Sequence, residues 1–388
     1  MYSALFHRQK HSQLFATLLA AVTLLVILAG CGSTGSTGGN TSSAPVNGKN
    51  CKKIGVLLPE TNSSPRWEAY DHPLLVQQIN QALPGATIDY SNANGSADTQ
   101  QSQAEADLTK GDCILIVAAH DSSAAASIVT LAKRQNVPVI AYDRLIQSND
   151  LNFYVSFDNV KVGELQGQYI VDHYKDAQYG VSPGHNNIAF IKGADTDNNA
   201  HLFAQGAHEK IDPLVNSGAL VNVYEQFTPN WNPPDGQTEM EAALTKTNNN
   251  IQIVYSANDD LGGAVVQALQ PHNLAGKVLI TGQDATVAGL QRILEGTQSM
   301  TVYKPIVQEA KATAQLVAAL SNGSSTSSLT NGQTTKTQGG ADIPSVLETP
   351  VSVDKSNIAS TVLADGFVTK DQICTGLPAG TDTGGICS

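Results

Sequence analysis

A chain of 388 residues is long enough for two domains at the usual roughly 100–200 residues each, and 41% apolar with 14% charged residues describes a packed globular protein, not a disordered or collagen-like one. The formal net charge of −12 and the lack of any Lys/Arg stripe argue against a polyanionic partner, so no nucleic acid is expected.

In chain order the first feature is an export signal. His7, Arg8 and Lys10 precede an apolar run from Leu14 to Leu28, which is shorter than the roughly 20 residues that span a bilayer. Leu28-Ala29-Gly30-Cys31 resembles a bacterial lipobox, which predicts cleavage after residue 30 and lipidation of Cys31. Residues 1–30 then form a signal peptide and 31–50 a lipidated cysteine with a Gly/Ser/Thr-rich tether reaching about 25 Å. The expected location is outside the cytoplasm, on the outer face of a bacterial cell membrane.

Four further cysteines, Cys51, Cys113, Cys374 and Cys387, allow three pairings in an oxidising compartment. Cys51 and Cys113 each sit just before an apolar run. If those runs are neighbouring parallel strands, both thiols lie at one end of the sheet. This predicts Cys51–Cys113 and, by exclusion, Cys374–Cys387 closing a C-terminal loop.

From residue 52, short apolar runs alternate with helical patterns, the signature of doubly wound parallel sheets. Strands are expected at 53–58, 86–91, 113–118, 137–142 and 152–156, with helices at 66–82, 98–109 and 122–135 between the first four. A second series places strands at 187–192, 220–226, 251–256, 277–281 and 299–303. The fold class is therefore α/β with two parallel-sheet lobes. Ligands of such sheets bind beyond the carboxyl ends of the strands. Those ends carry Pro65-Arg66-Trp67, Tyr142-Asp143-Arg144, Asp197-Asn198-Asn199, Ser256-Ala257-Asn258-Asp259, Gly282-Gln283-Asp284 and Tyr303-Lys304-Pro305. Sugar hydroxyls both donate and accept, so amides, carboxylates, Arg and Lys suit them. The apolar faces of a sugar ring suit indoles, and both tryptophans, Trp67 and Trp231, fall at expected lobe edges. Taken singly, each of these residues is equally explained as a cap, a rim aromatic or a solvated loop.

Longer motifs join them. Val139-Ile140-Ala141-Tyr142-Asp143-Arg144, Ser156-Phe157-Asp158-Asn159, Lys161-Val162-Gly163-Glu164-Leu165-Gln166, Asp197-Asn198-Asn199-Ala200, Thr281-Gly282-Gln283-Asp284-Ala285 and Met300-Thr301-Val302-Tyr303-Lys304-Pro305 occur in this order. Over most of residues 53–370 the chain resembles the xylose-binding proteins of ABC transporters, within the type I sugar solute-binding family. The resemblance implies hydrogen-bonding contacts from Arg66, Asp143, Arg144, Asn199, Asn258, Asp284 and Lys304, and stacking by Trp67 and Trp231. Asn199 is preferred to Asn198 on its spacing to Trp231 and Asn258. It also implies a three-crossing hinge, with one lobe at 51–157 plus 305–340, the other at 158–304 plus 341–373, and a C-terminal loop at 374–388. The implied function is capture of a monosaccharide, D-xylose first, by lobe closure, and delivery to an ABC permease by a monomer without cofactor or metal. The segment Ala118-Ala119-His120-Asp121-Ser122 departs from the family; a solvated loop is the expected reading, with adjustment of specificity by His120 or Asp121 at the cleft edge as the alternative.

Three other readings compete. A sugar sensor for a chemoreceptor or sensor kinase would use the same site. A glycoside-acting enzyme would need Asp143 and Asp284 as an acid and base pair, but Arg144 and Lys304 are expected to keep both ionised. Repressors of this fold carry a helix-turn-helix where this chain carries an export signal. Asp195-Thr196-Asp197-Asn198-Asn199 opens like a calcium loop, but Ala200 and Gly206 stand where such a loop needs Gly and Glu.

Overall fold

The computed structural model describes residues 48–61 and 63–387. The expected signal peptide, Cys31 and most of the tether lie outside the described residues. Among those residues no helix is long and apolar enough to cross a membrane.

The first series runs β1 (Lys53–Leu58), α1 (His72–Ala82), β2 (Thr87–Asn92), α2 (Ala97–Lys110), β3 (Ile114–Val117), α3 (Ala126–Arg134), β4 (Val139–Tyr142) and β5 (Phe153–Phe157). The chain crosses into α4 (Asn159–His173), β6 (Asn187–Lys192), α5 (Asn198–Asn216), β7 (Val221–Phe227), α6 (Pro233–Thr247), β8 (Ile253–Ser256), α7 (Asp259–Leu269), β9 (Leu279–Ile280), α8 (Val287–Glu295) and β10 (Thr301–Tyr303). It returns through α9 (Ile306–Asn322), β11 (Thr334–Lys336) and β12 (Asp342–Glu348), then crosses again to β13 (Val351–Val353).

The first lobe is built on a seven-stranded sheet ordered β11-β12-β5-β4-β3-β1-β2, parallel except for β11. Helices cover both faces, so the central strands are apolar throughout; β3 and β4 are buried at every position. Ile54, Val56 and Leu58 face one core and Leu57 the other, as the two-residue period of a strand requires. The second lobe holds the parallel sheet β7-β6-β8-β9 over its own core. In that lobe α4 and α5 cross at backbone contact. A Cβ on Gly163 would lie 1.9 Å from Phe203 O, and one on Gly206 2.0 Å from Val160 O.

Three expectations change. The helix expected over 66–82 opens with a π-helical turn, Trp67–Asp71, before α1. The strand expected at 299–303 does not join the second parallel sheet. It touches the β9 edge through single backbone bonds (Ser299 N to Ile280 O, Val302 N to Gly282 O), while its ladder is antiparallel with β13. The lobe boundary at 340/341 is also corrected. β12 pairs in parallel with β5, so residues 342–348 belong to the first lobe and the third crossing lies at Thr349-Pro350. Pro344 and a mixed polar pattern hide that strand in the sequence.

Both disulfides are present. Cys51–Cys113 joins the starts of β1 and β3, which are neighbours in register, and Cys374–Cys387 closes the C-terminal loop. That loop docks on the second lobe: Leu377, Ile386 and Cys387 pack with Leu290, Val353 and Ile373. Loop-closure entropy gives the two bonds, with sequence separations of 62 and 13, about 4 and about 3 kcal/mol. Replacing each pair by alanine should therefore lower the unfolding free energy by about those amounts, the Cys51/Cys113 pair more, in denaturant titrations.

Candidate functional site

Between the lobes lies a narrow cleft whose empty space, open solvent included, is about 290 Å³. Arg66, Trp67, Asp143, Arg144, Asn199, Trp231, Asn258, Asp284 and Lys304 all line it, joined by Ser63, Ser64, Asp197, Phe203 and Gln283. The fold gathers them because each follows the carboxyl end of a strand. Arg66 and Trp67 follow β1, Asp143 and Arg144 follow β4, and Asn199 stands in the first turn of α5, after β6. Trp231 follows β7, Asn258 is the N-cap between β8 and α7, Asp284 follows β9, and Lys304 sits on the second crossing.

Charge organises the floor. Arg66, 3% exposed, donates from Nε and Nη2 to the two oxygens of Asp71 (2.9 and 2.7 Å), from Nη1 to Asp143 Oδ2 (2.7 Å) and from Nη2 to Glu309 Oε2 (3.0 Å). Arg144 donates to Glu60 Oε1 (2.8 Å) and pairs with Asp197 Oδ2 (3.0 Å), which also accepts from Trp231 Nε1 (3.1 Å). Lys304 Nζ lies 3.1 Å from Asp284 Oδ1 and 3.7 Å from Asp143 Oδ2. Burial alone would raise the Asp143 carboxyl, but Arg66, Lys304 and Arg144 hold it at about 2. The same contest, won by Arg144, His120 and Ser63, holds Glu60 at about 2. Glu309 goes the other way, pushed well up by burial and by the Asp143 charge. An acid kept ionised near neutrality is no general acid, so Asp143 does not suit the proton-donating role of a glycosidase pair.

Three cavity residues hold left-handed backbone: Asp143 (φ 59°), Trp231 (φ 55°) and Asp284 (φ 91°). Such conformations cost roughly 1–3 kcal/mol for residues with a Cβ and persist only where surroundings over-determine them. At Asp143 the surroundings are explicit. Its N–H donates to Val155 O, and its carbonyl accepts from Tyr154 Oη (2.9 Å), Ser156 Oγ (2.7 Å) and Asn199 Nδ2 (3.0 Å). Asn159 Nδ2, at the first crossing, donates to Asn199 Oδ1 (3.0 Å) and fixes that amide.

Sequence reasoning did not single out Ser63, Ser64 or Phe203, nor the partners Glu60, Asp71 and Glu309, because nothing local marks them, and it assigned no role to Gln283 within the motif Gly282-Gln283-Asp284. Gln283 Oε1 is buried with no hydrogen-bond partner among the described residues. His120 and Asp121 do not line the cavity. His120 Nδ1 lies 2.9 Å from Glu60 Oε2, and Asp121 accepts from the backbone of Ser123 and Ala124. Among the described residues Asp89, Asp107 and Asp112 have metal-like spacing, but Lys53 Nζ stands 3.1 Å from both Asp89 Oδ2 and Asp112 Oδ1. Lys53 and Lys110, the latter 3.0 Å from Asp107 Oδ1, already occupy that cluster as its cations.

Two outcomes follow from this geometry. Because Glu60 and Asp143 are depressed in the folded state, their stabilisation is complete above the ordinary carboxylate range, near pH 4, and is lost as pH falls through about 2. Acid-unfolding curves of Glu60→Gln should thus be shallower than wild type between about pH 4.5 and 2. A Cβ on Gly193 would lie 2.1 Å from the Trp231 ring. In a Trp67→Phe background, Gly193→Ala should therefore shift the emission of Trp231 to the red as the indole is displaced towards solvent.

Comparisons with known proteins agree with this architecture. The family profile described as "Periplasmic binding protein domain" matches residues 54–325. The D-xylose-binding periplasmic protein of Escherichia coli K12 is 38% identical over 321 residues, covering 83% of this chain and 92% of that protein. Its Haemophilus influenzae counterpart is 37% identical, with 83% and 92% covered. Among solved structures, a solute-binding protein from Clostridium phytofermentans with bound β-D-glucose aligns at TM-score 0.73 and 28% identity, over 83% of this chain and all of that one. A carbohydrate transporter solute-binding protein from Chloroflexus aurantiacus, in complex with D-glucose, aligns at 0.72 and 27%, over 84% and 98%. These relatives are binding proteins and not enzymes. With two parallel-sheet lobes, three crossings and the strand-end residues meeting in one cleft, the chain belongs to the periplasmic binding protein family and has its type I fold.

Proposed function

We propose that this protein captures a monosaccharide, D-xylose first, between its lobes and passes it to an ABC importer, working as a monomer outside the cytoplasm with Cys31 as its lipid anchor. The observation that carries this reading is one cavity in which carboxylates, amides, three cations and two indoles from both lobes converge. A sugar held by Asp143 and Arg144 of the first lobe would offer its other hydroxyls to Asn199, Asn258 and Asp284 of the second. Closure is then favoured by contacts that exist only when both lobes engage the ligand. The names of the two D-xylose-binding relatives support xylose. The glucose held by the two solved relatives makes hexoses the competitors to test.

A second reading, presentation of the sugar to a sensor, is favoured by one relative named a multiple sugar-binding periplasmic receptor, from Rhizobium radiobacter, 33% identical over 82% of this chain. It uses the same cleft and the same closure.

Calorimetric titration with xylose, arabinose, ribose, glucose and galactose tests the proposal. One-to-one xylose binding is expected, weakened roughly ten- to hundredfold in Asp284→Ala by loss of charge-assisted hydrogen bonds. A folded protein that binds none of these sugars overturns it.

A further inference from the structure

The two asparagines at the start of α5 do different work. Asn199 faces the cavity, whereas Asn198 joins a set of hydrogen bonds at the rim that touches no cavity-lining residue. Ser122 of the first lobe donates from its N–H to Thr196 O (3.0 Å) and accepts at Oγ from Asn198 N–H (3.0 Å). Gln147, also of the first lobe, donates from Nε2 to Asn198 Oδ1 (2.7 Å).

The first-lobe side of this set is held in place. Gln147 N–H donates to Ser122 O (2.8 Å), and Gln147 Oε1 accepts from Gln338 N–H (2.8 Å), so the amide is oriented with its NH₂ towards the other lobe. Ser122 is 3% exposed. On the second lobe, the Asn198 N–H belongs to the first turn of α5, where a helix leaves its amides without intrahelical partners. The three bonds across the rim therefore satisfy groups that only water could satisfy with the lobes apart.

We infer that Ser122, Gln147 and Asn198 form a closure latch, which sets how much of the ligand-free protein is closed and so scales sugar affinity without contacting the sugar. The inference rests on the proposed binding by lobe closure. Apparent affinity is the intrinsic affinity multiplied by the fraction of protein in the competent state, so a change in that fraction acts on every ligand alike. Ser122, Gln147 and Asn198 are positioning residues in this sense.

The test uses three variants. Gln147→Glu keeps the shape but cannot donate to Asn198, Asn198→Ala removes the acceptor, and Asn198→Asp retains one. Small-angle scattering of the ligand-free protein and xylose titration with dissociation rates are measured for each. Expected are a larger ligand-free radius of gyration for Gln147→Glu and Asn198→Ala, affinity lower by roughly two- to tenfold through faster dissociation, and recovery in Asn198→Asp. The same factor should apply to any other aldose that binds, since the latch does not read the sugar. Thermal unfolding in step with wild type shows that the variants are folded. Unchanged scattering and unchanged affinity in folded Gln147→Glu and Asn198→Ala overturn the latch. If wild type binds no sugar, the proposed function fails, while the ligand-free scattering still decides the latch.

Discussion

Arg66 is a fixed positive charge in the interior of the first lobe, and most of the site depends on how that charge is accommodated. A lone ion there would cost several kcal/mol, so it is enclosed by Asp71, Asp143 and Glu309, all buried. Asp143 in turn shares Lys304, which reaches Asp284, and accepts a bond from Asn199 of the opposite lobe. The cleft floor is thus one connected electrostatic object. Moving any member leaves another buried charge exposed to a low dielectric, which is why such networks keep side chains in place while lobes move.

The backbone at Asp143, Trp231 and Asp284 adds a second constraint. Each stands in a left-handed conformation, Asp143 directly after β4 and Trp231 and Asp284 four residues beyond β7 and β9, and each lines the cavity. The donors around Asp143 O show how the first lobe meets that cost with ordinary hydrogen bonds. Pre-organisation of this kind lets a binding site spend little on ordering itself when its ligand arrives.

Much of this was legible in the sequence because parallel strands covered on both faces read as unbroken apolar runs, and the residues after them are where ligands bind. The nine expected residues meet in one cavity for that reason. Glu309 was not legible: it meets Arg66 across 243 residues, on a helix whose pattern says only that one face is buried. Glu60 reads as an ordinary loop acid and Asp71 as an ordinary helix acid until their partners are placed. β12 escaped notice because Pro344 interrupts it and only Ile343, Val346 and Leu347 are apolar, so the last crossing was placed too early. Asn198 and Asn199 were told apart by spacing, but the separate use of the first of the pair is a matter of three dimensions.

The position of β12 also dictates an order of assembly. The second lobe's parallel sheet is complete once β9 is made, whereas the first lobe waits for two late pieces: α9, which packs on α1 and brings Glu309 to Arg66, and β12, which covers the outer edge of β5. During synthesis the parallel sheet that begins the chain is therefore completed after the second one, although the second lobe still takes on β13 and the C-terminal loop. Until Glu309 has emerged Arg66 lacks one of its acidic partners, and until Glu348 has emerged the β5 edge stays unpaired, a state prone to wrong strand pairing.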